Sequence, residues 1–204
     1  MPILLTSNGI TSQAIIDKYT ELFNTGFKKV AIIVTADPEY REKNRKAVCT
    51  RKELENIGFH PDFFDIEFSS PSLLLKYDIL FFIGGNPFYL LNQIQKTHTD
   101  NILYELISKG KIISGSSAGC VVLGETIALI NEFDPQMNNG IGLTDFKGIG
   151  LTNINLCPHH TKYINRYDNF EERICLVEET LKIEITRIND GEALIIDNGQ
   201  VIKI

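Results

Sequence analysis

Lys111-Ile112-Ile113-Ser114-Gly115-Ser116-Ser117-Ala118-Gly119-Cys120-Val121-Val122-Leu123 decides the reading of this chain. An apolar strand runs into a glycine-flanked serine and leaves as an apolar helix, which is the G-x-S-x-G pattern in a strand, turn and helix setting. A turn this sharp holds its central residue in a strained backbone conformation, and glycines on either side remove the side chains that would collide there. Ser117 is then expected to stand clear of the sheet as a nucleophile. The Ala118 N–H beside it, at a helix N-terminus, is placed to donate to a developing oxyanion. A Gly/Ser-rich connection without chemistry is the plainer alternative, and the apolar flanks favour the nucleophile.

Outward from this turn, strands and helices alternate. Ile3-Leu4-Leu5 reads as a first strand and Ser12 to Phe23 as a helix with apolar residues at helical spacing. Lys29 to Val34 and Ile79 to Ile83 are nearly continuous apolar runs, as expected of strands covered on both faces. Pro38 to Ile57 reads as a charged amphipathic helix closed by Gly58, and Phe63 to Ile66 as a short strand. Helices are expected from Pro87 to Gln95 and from Asp100 to Lys109. After the elbow, 131–152 is rich in Gly, Asn and Asp and loop-like, Ile154 to Cys157 resembles a strand, and Asn169 to Leu181 a helix. Ala193 to Ile196 and Gln200 to Lys203 form a hairpin through Asp197-Asn198-Gly199. The pattern predicts one α/β domain over 1–204, a three-layer arrangement around a mainly parallel sheet with an antiparallel C-terminal edge.

Composition narrows the partners. The 204 residues are 43% hydrophobic, enough for a substantial core, and carry a formal net charge of −6. That balance argues against nucleic acid or an anionic membrane surface as partner. The one charged run, Arg41-Glu42-Lys43-Asn44-Arg45-Lys46, is interrupted by acid and reads as a solvated helix face. Met1-Pro2-Ile3-Leu4-Leu5-Thr6 has neither a charged leader nor a long apolar run, and no stretch has the length of a membrane span, so the expected compartment is the cytoplasm. Cys49, Cys120, Cys157 and Cys175 have no metal-site spacing and are expected to be free and mostly buried thiols, and no cofactor is expected.

In open α/β sheets ligands gather at the carboxyl ends of the parallel strands. Gly84-Gly85-Asn86, after the strand ending at Ile83, arrives there independently of the elbow, and Gly85 N–H is the candidate second oxyanion donor beside Ala118 N–H. The same glycines could serve only to start the helix at Pro87. A serine nucleophile needs a base, and the chain has four histidines. His60 and His98 sit in peripheral connections, whereas His159 and His160 follow Pro158 at a strand end. An acid to orient the base is available as Asp190, before Gly191, or as Glu132, and either could equally be a turn former. Thr6-Ser7-Asn8-Gly9-Ile10, after the first strand, is a poor phosphate loop.

These features together resemble the peptidase E family of serine peptidases (aspartyl dipeptidases), related to cyanophycinases. The likeness rests on Gly84-Gly85-Asn86 before a Leu-rich helix, the Gly-x-Ser-Ala-Gly elbow, the Pro158-His159 pair and Glu171-x-Arg173-Ile174, in the family's order from the first strand to Leu194. The resemblance implies a flavodoxin-like sheet akin to class I glutamine amidotransferases and hydrolysis of short peptides. It places the nucleophile on Ser117, the base on His159, the acid on Asp190 (with Asn131-Glu132 at the family's alternative position) and the oxyanion donors on Gly85 and Ala118. Two departures stand out. Phe170 occupies the position of an arginine found in members selective for an N-terminal aspartate, so strong Asp selectivity is not expected. Ser116 stands where those dipeptidases carry a bulky aromatic residue, which would alter the pocket wall. An esterase using the same elbow, or an inactive relative acting as a binding module, are the competing functions.

Overall fold

The computed structural model describes residues 3–204; Met1 and Pro2, within the N-terminal stretch read above for a leader, lie outside the described residues. Five strands form the parallel body of the main sheet: β1 (Ile3–Thr6), β2 (Lys29–Ile33), β3 (His60–Phe64), β4 (Ile79–Phe82) and β5 (Ile112–Ser116). The apolar runs of β1, β2, β4 and β5 are buried on both faces, as two-sided coverage demands, whereas the edge strand β3 alternates buried and exposed residues. The order β3-β2-β4-β5-β1 continues through β8 (Ala193–Asp197) and β9 (Gln200–Lys203), both antiparallel to their predecessors, so the C-terminal edge is antiparallel as the hairpin signal indicated. Asn198 and Gly199 both have positive φ (50° and 78°), the primed turn that suits a two-residue hairpin.

Helices sandwich this sheet. On one face α1 (Gln13–Asn24) and α2 (Arg45–Ile57) bury Ile15, Tyr19, Leu22, Ala47 and Leu54 against Val30, Ile32, Phe81 and Ile112. On the other, α3 (Pro87–Thr97) and α4 (Thr99–Ser108) bury Phe88, Leu91, Ile94, Leu103 and Leu106 against Ala31, Leu80, Phe82 and Ile113. Asn86 starts α3 by accepting from the Phe88 and Tyr89 N–H groups, with Pro87 at the first helical position. Among the described residues no helix is long and apolar enough to cross a membrane.

Several elements depart from the sequence reading, each for a local reason. The helix expected from Pro38 begins only at Arg45, because polar side chains capture the amides before it. Asp37 accepts from the Glu39 and Tyr40 N–H groups, and Asn44 caps α2 through Lys46 and Ala47. Nor is the charged run merely a solvated face, since Arg41 turns inward to pair with Asp65 and Glu67. The third strand lies at His60–Phe64 rather than Phe63–Ile66, paired with β2. Of the four cysteines only Cys120 and Cys157 are buried; Cys49 and Cys175 are exposed.

The largest difference lies after the elbow. A short α5 (Ala118–Val121) leads through α6 (Ala128–Phe133), inside and ahead of the stretch read as loop, to β6 (Asn155–Cys157). This strand does not join the main sheet: it pairs in parallel with β7 (Ile185–Arg187), a strand the sequence reading missed. Between them run α7 (His160–Ile164) and α8 (Phe170–Leu181), and with α6 they close a small separate core of Leu129, Cys157, Phe170, Ile174 and Ile185. This subassembly stands over the carboxyl end of the main sheet.

Candidate active site

β5 ends at Ser116, and the next residue turns the chain with φ 51° and ψ −123°, a conformation a non-glycine residue rarely adopts. Ser117 N–H donates to Thr6 O, and its carbonyl accepts from the Cys120 and Val121 N–H groups, so the turn is pinned on both sides. Gly119 makes it possible, because a Cβ there would lie 2.3 Å from Phe82 O at the end of β4. The Ser117 side chain points into a cavity of about 520 Å³ between the sheet end and the α6–α8 subassembly.

His159 comes from the turn between β6 and α7 and also holds a left-handed conformation, φ 56°. Its Nε2 lies 3.0 Å from Ser117 Oγ, and its Nδ1 lies 2.5 Å from Asp190 Oδ1. With Nδ1–H donating to the carboxylate, Nε2 is left to accept the serine proton. Burial disfavours the charged imidazolium and holds His159 below its ordinary pKa; Asp190 pulls the other way, while Lys46 and Lys162 add to the lowering. His159 is therefore neutral, and free to take a proton, at neutral pH. For Asp190 partial burial alone would raise the pKa, but bonds from Lys162, His159 and Ser7 outweigh it and bring the carboxyl down to about 2.

The other histidine of the pair points elsewhere, bonding Glu171 on α8. His60 and His98 are exposed, and neither lines the cavity. Glu132, the alternative acid, does not join the array: it lies on α6 with its side chain turned to Arg173 of α8, whose Nε is 2.8 Å away. The Gly85 and Ala118 N–H groups both border the cavity, and neither has an acceptor among the described residues. Gly85 must be glycine for this, because a Cβ would lie 2.3 Å from Ala36 O in the loop after β2. Two amides left open beside a serine hydroxyl can receive a carbonyl oxygen as it becomes negative.

Sequence reasoning missed three participants. Ser7, fully buried at the exit of β1, donates to Asp190 Oδ1 at 2.9 Å and accepts from the His159 N–H at 2.9 Å. Its position at the carboxyl end of a central parallel strand is the available signal, which a reading of the segment as a phosphate loop alone does not use. Lys162, on α7, pairs with the second Asp190 oxygen. Lys46, on the first turn of α2, reaches the cavity wall. Ser116, by contrast, is buried and does not line the cavity.

Away from the serine, the cavity is walled by rings. Phe170 is 3% exposed and sits 4.7 Å, centroid to centroid, from Phe133, 5.9 Å from Tyr163 and 6.0 Å from Tyr167, on which it stacks. Leu129, Ile130 and Met137 complete an apolar lining. Asp134 is the one carboxylate of the wall among the described residues, engaged by Tyr167 OH at 2.5 Å, Gln136 and Arg166.

Comparisons with known proteins agree with this architecture. The model of Peptidase family S51 matches residues 3–204. The chain is 30% identical over 156 residues to the uncharacterized peptidase Lmo0363 of Listeria monocytogenes, covering 74% of each. It is 26% identical over 180 residues to a peptidase E of Nostoc, covering 85% of this chain and 71% of that protein. A crystal structure from Listeria monocytogenes EGD-e, of a protein assigned to peptidase E, superposes with a TM-score of 0.76 at 26% identity over 100% of this chain and 97% of that one. A peptidase from an acI-B1 actinobacterium shares the fold, with a TM-score of 0.72 at 21% identity over 98% of this chain and 86% of the other.

Proposed function

This chain belongs to peptidase family S51, and we propose that it cleaves short peptides by a serine mechanism, with Ser117 as nucleophile, His159 as base and Asp190 as the acid that orients it. The observation that carries this reading is the continuous relay from Ser117 Oγ through His159 to Asp190, at 3.0 and 2.5 Å, opening on the cavity. Ser117 Oγ attacks the scissile carbonyl carbon while its proton passes to His159 Nε2. The carbonyl oxygen takes the negative charge between the Gly85 and Ala118 amides. As the C–N bond breaks, His159 returns the proton to the leaving amine; water then attacks the acyl-serine with His159 again as base, releasing the acid and restoring Ser117.

The substrate is a short peptide with a free amino end. The ring-walled part of the cavity favours an apolar or aromatic side chain on the residue that supplies the scissile carbonyl. Phe170 offers no charge there, and the cations on that side of the cavity, Lys162, Arg166 and Arg173, are already paired with Asp190, Asp134 and Glu132. An acidic side chain among these rings would lie away from Lys46, the one unpaired cation of the cavity lining among the described residues.

A serine-directed phosphonate should label Ser117 and abolish turnover. A panel of X-Leu dipeptides and aminoacyl-nitroanilides should show Leu, Met or Phe at X exceeding Asp by about tenfold or more in kcat/KM. Preference for Asp-Leu would overturn the side-chain reading. Hydrolysis of simple esters with no cleavage of any peptide would favour an esterase.

A further inference from the structure

Lys46 is the cation of the cavity wall that remains without a carboxylate. Of the basic residues that line the cavity, Lys162 pairs with Asp190 and Arg166 with Asp134, whereas Lys46 has no acidic partner among the described residues. Its position is close to the reacting atoms. The point that a Cβ on Gly84 would occupy lies 3.0 Å from Ser117 Cβ and 3.6 Å from Lys46 Nζ, so the ammonium and the nucleophile flank the same glycine. Lys46 also arrives from the opposite side to the aromatic wall. It stands on α2, whose Ala47 and Leu54 pack into the core shared with α1, whereas Phe133 and Phe170 belong to the α6–α8 subassembly. A chain laid across Ser117 with its side chain among the rings therefore sends its leaving part towards Lys46.

We propose that Lys46 is the subsite for the terminal carboxylate of a dipeptide, binding the carboxylate one residue beyond the scissile bond. This rests on the peptide-cleavage reading above and adds the length of the substrate to it. In a dipeptide the scissile carbonyl carbon and the terminal carboxylate carbon are separated by one residue, at most about 3.6 Å when extended. That span matches an ammonium placed beside the glycine next to the nucleophile. In a longer peptide or a dipeptide amide a neutral amide takes the carboxylate's place and leaves the lysine without a counter-charge. A charge-assisted contact covered by the bound substrate is sufficient for about tenfold discrimination, and it weakens as salt screens the exposed ammonium.

The test compares Leu-Leu with Leu-Leu amide, which differ only in that charge. The wild-type protein should prefer the free acid by about tenfold in kcat/KM, mostly through KM, and less at high salt. In Lys46→Met the ratio of acid to amide should fall close to one, while Lys46→Arg keeps most of it. Calorimetric binding of the same two ligands to Ser117→Ala, with and without Lys46→Met, reads the subsite without turnover. Equal treatment of acid and amide by the wild-type protein, or full discrimination surviving in Lys46→Met, overturns the assignment of Lys46 even where peptides are cleaved. Binding discrimination through Lys46 with no turnover of either ligand upholds the subsite and overturns the proposed reaction instead.

Discussion

Ser7 donates a hydrogen bond of 2.9 Å to Asp190 across 183 residues of sequence, tying the exit of the first strand to the turn before the last hairpin. The same hydroxyl accepts from the His159 backbone, so one buried side chain sets both partners of the imidazole–carboxylate contact. Asn8 continues the tie by accepting from Gly191 N–H at 2.9 Å.

Removing this hydroxyl should be felt in the pH profile as well as in the rate. In Ser7→Ala the Asp190 carboxylate loses a donor and becomes more basic, which stabilises the imidazolium and moves the acid limb of kcat/KM to higher pH. We expect a fall in kcat of about tenfold to a hundredfold and a stability loss of about 1–3 kcal/mol from the unpaired groups. Rate–pH profiles and denaturant titration measure both, and an unshifted limb would show that Ser7 acts only in packing.

Ser117→Ala and His159→Ala should each reduce turnover by at least ~10⁴-fold with the fold intact by circular dichroism. His160→Ala should stay within a few-fold of wild type, because that ring bonds Glu171 outside the array. A dead His160→Ala beside an active His159→Ala would reverse the assignment of the base.

The acid limb of the wild-type kcat/KM profile should have its midpoint below about 6.5, since burial and the nearby lysines disfavour protonated His159. Asp190→Asn removes the one influence that favours the imidazolium, so the midpoint moves lower still while the rate drops by about 10⁴-fold. Stability follows the depressed carboxyl in the opposite range. Asp190 contributes fully above its unfolded value near 3.9, and the contribution is lost as pH falls towards 2. A midpoint above 6.5 would contradict the burial argument.

Gly119→Ala places a methyl group 2.3 Å from Phe82 O, backbone against backbone with no flexible side chain to yield. We expect a loss of about 2–3 kcal/mol or more in chemical denaturation, together with lost activity as the elbow moves away from β4. Unchanged stability would mean that the turn can open at little cost.

What could be read from the sequence was what is local to a strand end. The elbow, Gly84-Gly85 and the Pro158-His159 pair each announce themselves through neighbours a few residues away, and the alternation of apolar runs with amphipathic stretches is enough to indicate a mainly parallel sheet with an antiparallel edge. What escaped depends on distant partners. The three-residue β7 exists because β6 offers it an edge. Only the resemblance favours Asp190 over Glu132; the contact that turns Glu132 away, with Arg173 of α8, joins residues 41 apart. The late start of α2 follows from Asn44 and Asp37 capturing amides, a competition that helical periodicity does not register.

Ser117 and His159 both hold φ values near +50°, where the side-chain carbon is itself the source of the strain. Glycine at either position would relax the backbone while deleting the reacting group. Durability and turnover therefore oppose one another at these two residues, and a lineage or a screen selected only for thermal persistence has a ready route to a quieter, longer-lived protein. Under the proposed mechanism, the strain at these two positions is retained for the side chains it presents.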